Sequence, residues 1–165
     1  MIRAVNVVAH LLAPGGAVPN HPRWPLLVYP AALERASPEA FEELFTRNGW
    51  PAAWRNGVFP FHHYHANGHE VLGVYSGEVT VLFGGDGGVE ITARPGDVVV
   101  LPAGTGHKKL ASRGSLGVVG AYPEGTHPDT CRSFSEKHLE SIASVPLPAA
   151  DPVCGPGGPL FSYWR

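Results

Sequence analysis

The hydrophobic positions of this chain fall in short runs separated by Gly, Pro and polar turn residues, a pattern of strands and turns rather than long helices. Residues 2–12 predict a first strand. Asn6 and His10 interrupt its apolar character and no small-residue cleavage site follows, so it reads as a strand and not as a signal peptide. Pro14 to Trp24 is a loop, and Pro25-Leu26-Leu27-Val28-Tyr29 is a second short strand or extended arm. Ser37-Pro38-Glu39 starts a helix, with Ser as N-cap and Pro in the first turn; Phe41, Leu44 and Phe45 share one face, and Asn48-Gly49 closes it.

From Trp54 onward the pattern is β. Val71–Tyr75, Glu78–Phe83, Val89–Ala93, Val98–Leu101 and Leu116–Tyr122 read as strands, with the hairpin loop Gly84–Gly88 and the turn Arg94–Asp97 between them. His127 to Arg132 is polar. Ser135 to Ser144 has a weak helical period, and the Pro/Gly-rich tail from Val145 wraps the body with Phe161, Tyr163 and Trp164 as anchors. With no internal repeat and no dividing linker, the expected organisation is one domain over 1–165. A barrel core spans about 54–122, an N-terminal strand and helix extension 1–53, and a C-terminal helix and tail 123–165.

Composition agrees with a globular all-β chain: 44% hydrophobic, 16% charged, with 21 Gly and 17 Pro dispersed between the apolar runs. A formal net charge of −2 leaves no basic footprint for nucleic acid and no polybasic membrane patch, and no apolar run is long enough to span a bilayer. The two cysteines, Cys131 and Cys154, could form one bridge but make no disulfide framework. The expected setting is a reduced, cytoplasmic one.

The chemistry concentrates between Gly57 and His107. His63 and His65 are two apart, so on a strand both imidazoles point to one face. Glu70 lies past the turn Ala66–His69 on the return strand, where it can face the pair across the ladder. His107 follows a Pro-x-Gly turn from a different hairpin. Three imidazoles and a carboxylate suit one divalent transition metal ion (Fe, Mn, Ni, Co, Cu or Zn), and in an octahedral ion they leave two neighbouring positions for a substrate. The plain alternative, four buried polar residues satisfying one another, leaves a carboxylate at high cost in an apolar barrel.

Two further residues are candidates for catalysis. Lys109 has the strand parity of His107. Either it points into the barrel, to pair with an anionic substrate or move protons, or a β-bulge turns it to solvent beside Lys108; the residues do not decide between these. His69, in the turn beside Glu70, could reach the pocket rim, against the plainer reading of a turn residue. His62 should face outward with Tyr64. His10, His21, His127 and His138 have no partners in the pattern, Arg55 suggests a rim salt bridge, and Phe59, Phe61, Leu72 and Val74 should line the barrel.

The spacing resembles the two-part cupin signature. Gly57, His63, His65, Glu70 and Gly77 fill the first part; Gly96, Pro102, Gly104 and His107 fill the second, with Ala111 where Asn is usual. The text from Trp54 to His65 resembles the YjlB-like branch of that superfamily. The resemblance implies a double-stranded β-helix, the cupin jelly roll, with the metal inside, and it implies a homodimer. On this reading the protein is a metal-dependent enzyme on a small oxygen-rich chelating substrate, an oxygenase first. A metal-dependent isomerase, lyase or decarboxylase working through an enediolate is the second reading, and a non-catalytic metal- or ligand-binding module the third.

Overall fold

The computed structural model describes residues 6–165. The predicted first strand therefore lies partly outside the described residues, and within them it is short: β1, Val8–His10. Then come β2 (Leu26–Tyr29), helix α1 (Pro38–Arg47), β3 (Ala52–Asn56), β4 (Glu70–Phe83), β5 (Val89–Ala93), β6 (Val98–Leu101) and β7 (His107–Ala121). Helices α2 (Glu136–Ser144) and α3 (Leu160–Tyr163) complete the chain. The strands form one antiparallel sheet in the order β1-β2-β6-β4-β7-β3, with β5 on β4, curled around its own inner face as the jelly-roll expectation requires.

The two long strands make the curl possible. Val71–Tyr75 and Glu78–Phe83 are one 14-residue strand, with register shifts around Ser76 and again between Thr80 and Val81, and β7 runs 15 residues antiparallel to it. One half of β4 pairs with β6 and the other with β5, so one strand serves both ends of the barrel. Gly77 takes a positive φ of 69° at the shift, where an added Cβ would lie 2.8 Å from the Arg113 carbonyl. Bulges of this kind bend a strand and allow closure.

Alternation then divides the core. On β4, β6 and β7, Val71, Val98, Val100 and Val119 face outward into a cluster with Phe41, Phe45, Trp50 and Trp164. Their neighbours Leu72, Val74, Val99, Leu101 and Val118 face inward into a second cluster with Leu26, Val81 and Phe83. Both faces of β6 are covered, which is why Val98–Leu101 reads as an unbroken apolar run. Helix α1 begins as the sequence predicts, with the Ser37 hydroxyl accepting from the Ala40 N–H at 3.0 Å. Its Phe41 ring lies on Gly73, where a methyl would meet it at 2.7 Å.

The tail wraps the outer face. Trp164 is buried, donates its indole N–H to the Pro25 carbonyl at 2.9 Å and stacks on Trp24. Tyr163 stays 40% exposed. Cys131 is buried and Cys154 exposed, and both are free thiols, so no bridge joins them. Arg55 makes a bidentate pair with Glu42 of α1, at 2.8 and 2.6 Å, bracing β3 rather than any rim. Among the described residues no helix is long and apolar enough to cross a membrane.

Candidate metal centre

His63 and His65 lie beside the turn that precedes His107. Backbone bonds join His63 and His107 in both directions (3.3 and 2.9 Å), and the Gly104 N–H donates to the His65 carbonyl at 2.8 Å. This differs from the sequence expectation that Glu70 faces the pair across a shared ladder. Glu70 pairs with Leu101 of β6, and its side chain meets the imidazoles across the barrel interior instead. One ring nitrogen from each of His63, His65 and His107 lies within 4.8 Å of the others, a group able to hold a metal ion, and all three side chains are buried.

Their tautomers are set by main-chain carbonyls. The Nδ1–H of His63 donates to Phe61 O at 3.0 Å, that of His107 to Thr105 O at 3.1 Å, and that of His65 to Asp129 O. Each ring thus spends its Nδ1 proton outward and keeps Nε2 for the shared centre, the orientation that metal-binding histidines take from their outer hydrogen bonds. Glu70 Oε1 sits 3.3 Å from Nε2 of both His65 and His107, yet it is a buried oxygen with no aligned hydrogen-bond partner. Three imidazole nitrogens thus share one centre, with the Glu70 oxygen beside two of them, an arrangement of donor atoms able to hold a divalent cation.

The charges follow from burial and proximity. Burial, helped by His107, pushes His63 down to about 3, so its ring is neutral. Burial also opposes charge on His65, but Glu70 outweighs it and holds this imidazole up to about 9. Burial works against the Glu70 carboxylate as well; His65 and His107 overcome it and keep the group below the usual carboxylate range.

A cavity of about 430 Å³ opens beside these four residues and is lined further by Trp54, Val58, Phe59, Leu72, Lys109, Tyr122 and Thr130. Lys109 belongs to it because of register. Phe83 pairs with His107 and Val81 with Lys109, both inward residues, and the bulge that would reverse the strand comes one residue later, at Leu110. Tyr122 was not marked by the sequence pattern, although it shares inward parity with Val118 and Gly120. Its hydroxyl accepts from Trp54 Nε1–H at 3.0 Å, and burial together with the Glu70 charge pushes its phenol up, keeping it protonated. Gly120 permits this contact, since a Cβ there would come within 2.1 Å of the Trp54 ring.

His69 does not line the cavity. Instead of reaching the rim it is 1% exposed, accepting from Ala103 N–H at Nδ1 and donating from Nε2 to Pro146 O, both at 2.9 Å. It ties β4, the Pro102–Gly104 turn and the tail together, and burial pushes it down to about 4. His62 is partly exposed, 3.6 Å from Asp86. His138 has partners the pattern did not suggest, the Tyr64 hydroxyl at 2.6 Å and Cys131 Sγ at 3.6 Å. Phe59 is 51% exposed at the cavity mouth, stacked on Phe61, whereas Leu72 lines the interior and Val74 belongs to the inner core.

Two positioning residues had no signature in the sequence. Asp129 presents its carbonyl to His65 while its carboxylate accepts from Ala66 N–H at 2.7 Å. Asn20, at φ 56°, donates to Ala13 O and Gly84 O and accepts from Gly106 N–H at 3.1 Å, just before His107. Asn20→Ala is expected to cost about 3 kcal/mol, because it strands buried backbone groups and keeps a left-handed residue. Asn20→Gly should be milder by about 1 kcal/mol, since glycine takes that φ freely. Urea denaturation of both variants checks the order.

Comparison with known proteins places this architecture. Residues 52–129 match the family profile described as Cupin. The chain is 43% identical over 152 residues to the "Uncharacterized protein YjlB" of Bacillus subtilis (strain 168), covering 90% of this chain and 91% of the relative. Among solved structures it is similar to a DUF861 family protein from Thermotoga maritima, at 25% identity and a TM-score of 0.34, over 52% of this chain and 91% of the other. It is also similar to Streptomyces albus HEPD, a structure with 2-hydroxyethylphosphonate and Fe(II) bound. There the identity is 14% and the TM-score 0.29, with 88% of this chain covering 28% of that one. With the signature residues gathered in one barrel and a relative matched along nearly its whole length, the chain belongs to the cupin superfamily, in the branch of YjlB.

Proposed function

We propose that this protein holds one divalent transition metal ion through His63, His65, Glu70 and His107 and is an enzyme acting on a small oxygen-rich molecule that chelates the ion. The observation that carries this is the convergence of three imidazoles, each with its Nδ1 proton already spent on a carbonyl, around a buried carboxylate oxygen without a hydrogen-bond partner. A bound ion supplies Lewis-acid polarisation of the substrate's oxygens.

The chain's own residues do the rest. Trp54, Val58 and Leu72 form an apolar wall that excludes water, and Lys109 and Tyr122 bring polar hydrogens to it. Oxygenase chemistry remains the first reading. The second, an isomerase, lyase or decarboxylase working through an enediolate of the substrate, is favoured by the protonated Tyr122 phenol beside Glu70, a group placed to give and retrieve a proton. Tail aromatics do not line the cavity, and that favours an open site over a plugged binding module. The discriminating experiment is turnover of a panel of hydroxy- and keto-acids by metal-loaded protein, with and without oxygen. Activity that stops without oxygen supports the oxygenase, activity that continues supports the enediolate route, and equal activity in the metal-free protein defeats both.

Metal uptake should also depend on pH. His65 is raised by Glu70 to about 9, so in the metal-free protein it contributes stability that is fully present below its ordinary value and lost as pH rises through about 9. The metal must displace that proton. Apparent affinity is therefore expected to climb about tenfold per pH unit between roughly 7 and 9 and then level. Calorimetry at pH 7.5 in buffers of different ionisation enthalpy should register close to one proton released per ion; a pH-independent affinity would contradict the assignment.

A further inference from the structure

The cavity is uneven in charge. Glu70 is its sole acidic side chain among the lining residues, and that carboxylate is committed to the imidazole end. Lys109 stands on the same wall as Val58 and Phe59, half-buried, and among the described residues no carboxylate pairs with it. Behind Phe59, outside the lining itself, Phe61 stacks on it and carries the Arg132 guanidinium 3.8 Å from its ring centroid, a second cation in the neighbourhood. With a divalent ion in place, the ion and Lys109 together outweigh Glu70, leaving the site positive. A cation on a partly apolar wall without a counter-ion is a costly arrangement unless a ligand supplies the charge.

The geometry points to a ligand with two anionic ends: besides the oxygens that chelate the ion, it carries a second oxyanion group that pairs with Lys109. The chelating half of this inference rests on the metal reading above; the Lys109 half does not. His107 and Lys109 leave the same face of β7 at Cα atoms about 7 Å apart, a separation on the scale of a four-carbon acid. Lysine offers a point charge with three rotatable donors, so either carboxylate or phosphate suits it. The apolar wall, with Phe59 at the mouth, accommodates a carbon skeleton between the two charged ends.

The test uses calorimetric titration of the full chain, with and without Co(II), against lactate, malate and 3-phosphoglycerate. These share a 2-hydroxy-acid or related hydroxy-acid chelating end and differ in the remote group: none, carboxylate or phosphate. Wild-type protein is expected to bind malate or 3-phosphoglycerate at least roughly tenfold more tightly than lactate, and the stronger of the two identifies the oxyanion. Lys109→Met should erase that preference while keeping its Co(II) content, and Lys109→Arg should restore most of it. Wild-type protein that binds all three alike, or none, overturns the inference, as does a preference that survives in Lys109→Met. Should Co(II) fail to bind while the Lys109-dependent preference persists, the metal reading falls and the anion site stands. Co(II) binding without any such preference keeps the metal centre and removes the anion site.

Discussion

His107→Ala and Glu70→Ala are each expected to abolish the rise in melting temperature that a divalent ion produces in the unaltered chain. An ion at a hundredfold excess over its Kd adds about 2.7 kcal/mol to the folded state. For a chain of this size that corresponds to roughly 5–10 °C. His107→Ala removes a nitrogen already aimed by its bond to Thr105 O, along with a ring whose centroid lies 3.9 Å from that of His63. Glu70→Ala removes the negative charge beside the centre, the sole acidic side chain among the lining residues, leaving imidazoles alone to hold a dication. Glu70→Gln separates charge from packing: it fills the same space and should still lose most of the shift. Metal content by mass spectrometry, with melting curves in the presence and absence of Co(II), provides the check. A shift that persists undiminished in both alanine variants would remove the basis for the proposed function.

The second large effect belongs to the opposite face of the sheet. Asp151 is fully buried and accepts four hydrogen bonds, from the Tyr29 hydroxyl at 2.6 Å and from the N–H groups of Val153, Cys154 and Leu160 at 2.8 to 3.0 Å. Burial and this carboxylate push the Tyr29 phenol far up, so Tyr29 is a permanent donor that fastens β2 to the tail. Asp151→Ala would strand all four donors inside the outer core. A loss of about 3–5 kcal/mol follows, a large share of a typical domain's stability. The urea midpoint should fall by roughly 2 M. Asp151→Asn retains one carbonyl and should lie between, and Tyr29→Phe, which removes a single bond, should be the mildest. Because Asp151 is separated from the cavity by the sheet, the folded fraction of Asp151→Ala should take up metal normally; an Asp151→Ala chain that unfolds as late as wild type would show that these four bonds do not hold the tail.

Several parts of the site were legible in the residue pattern for reasons that can be named. Two-residue spacing puts His63 and His65 on one face wherever the backbone is extended, and Pro102-Ala103-Gly104 forces a turn immediately before His107. Alternation in the second half of β4 likewise puts Val79, Val81 and Phe83 on one face, the inner one. Other features depend on contacts between segments far apart in the chain. His65 takes its tautomer from Asp129, 64 positions away, and Gly106 is held by Asn20, 86 positions away. Neither partner has a periodic signature, because each acts through one backbone or amide group in irregular chain. His69 looks like a neighbour of the site in sequence, but it lies just before β4, and its ring is held by Ala103 N–H and Pro146 O under the tail.

By itself, the sequence determined the fold class, the helix boundaries of α1 and the three histidines that share one centre, because turn chemistry and strand periodicity are local properties of the backbone. Which nitrogen each histidine offers, which way Lys109 points and whether Tyr122 shares the cavity were decided only in the tertiary structure. These depend on where a bulge falls between β4 and β7 and on which distant carbonyl arrives at each ring, and such matters of register are settled only when the separate segments pack together.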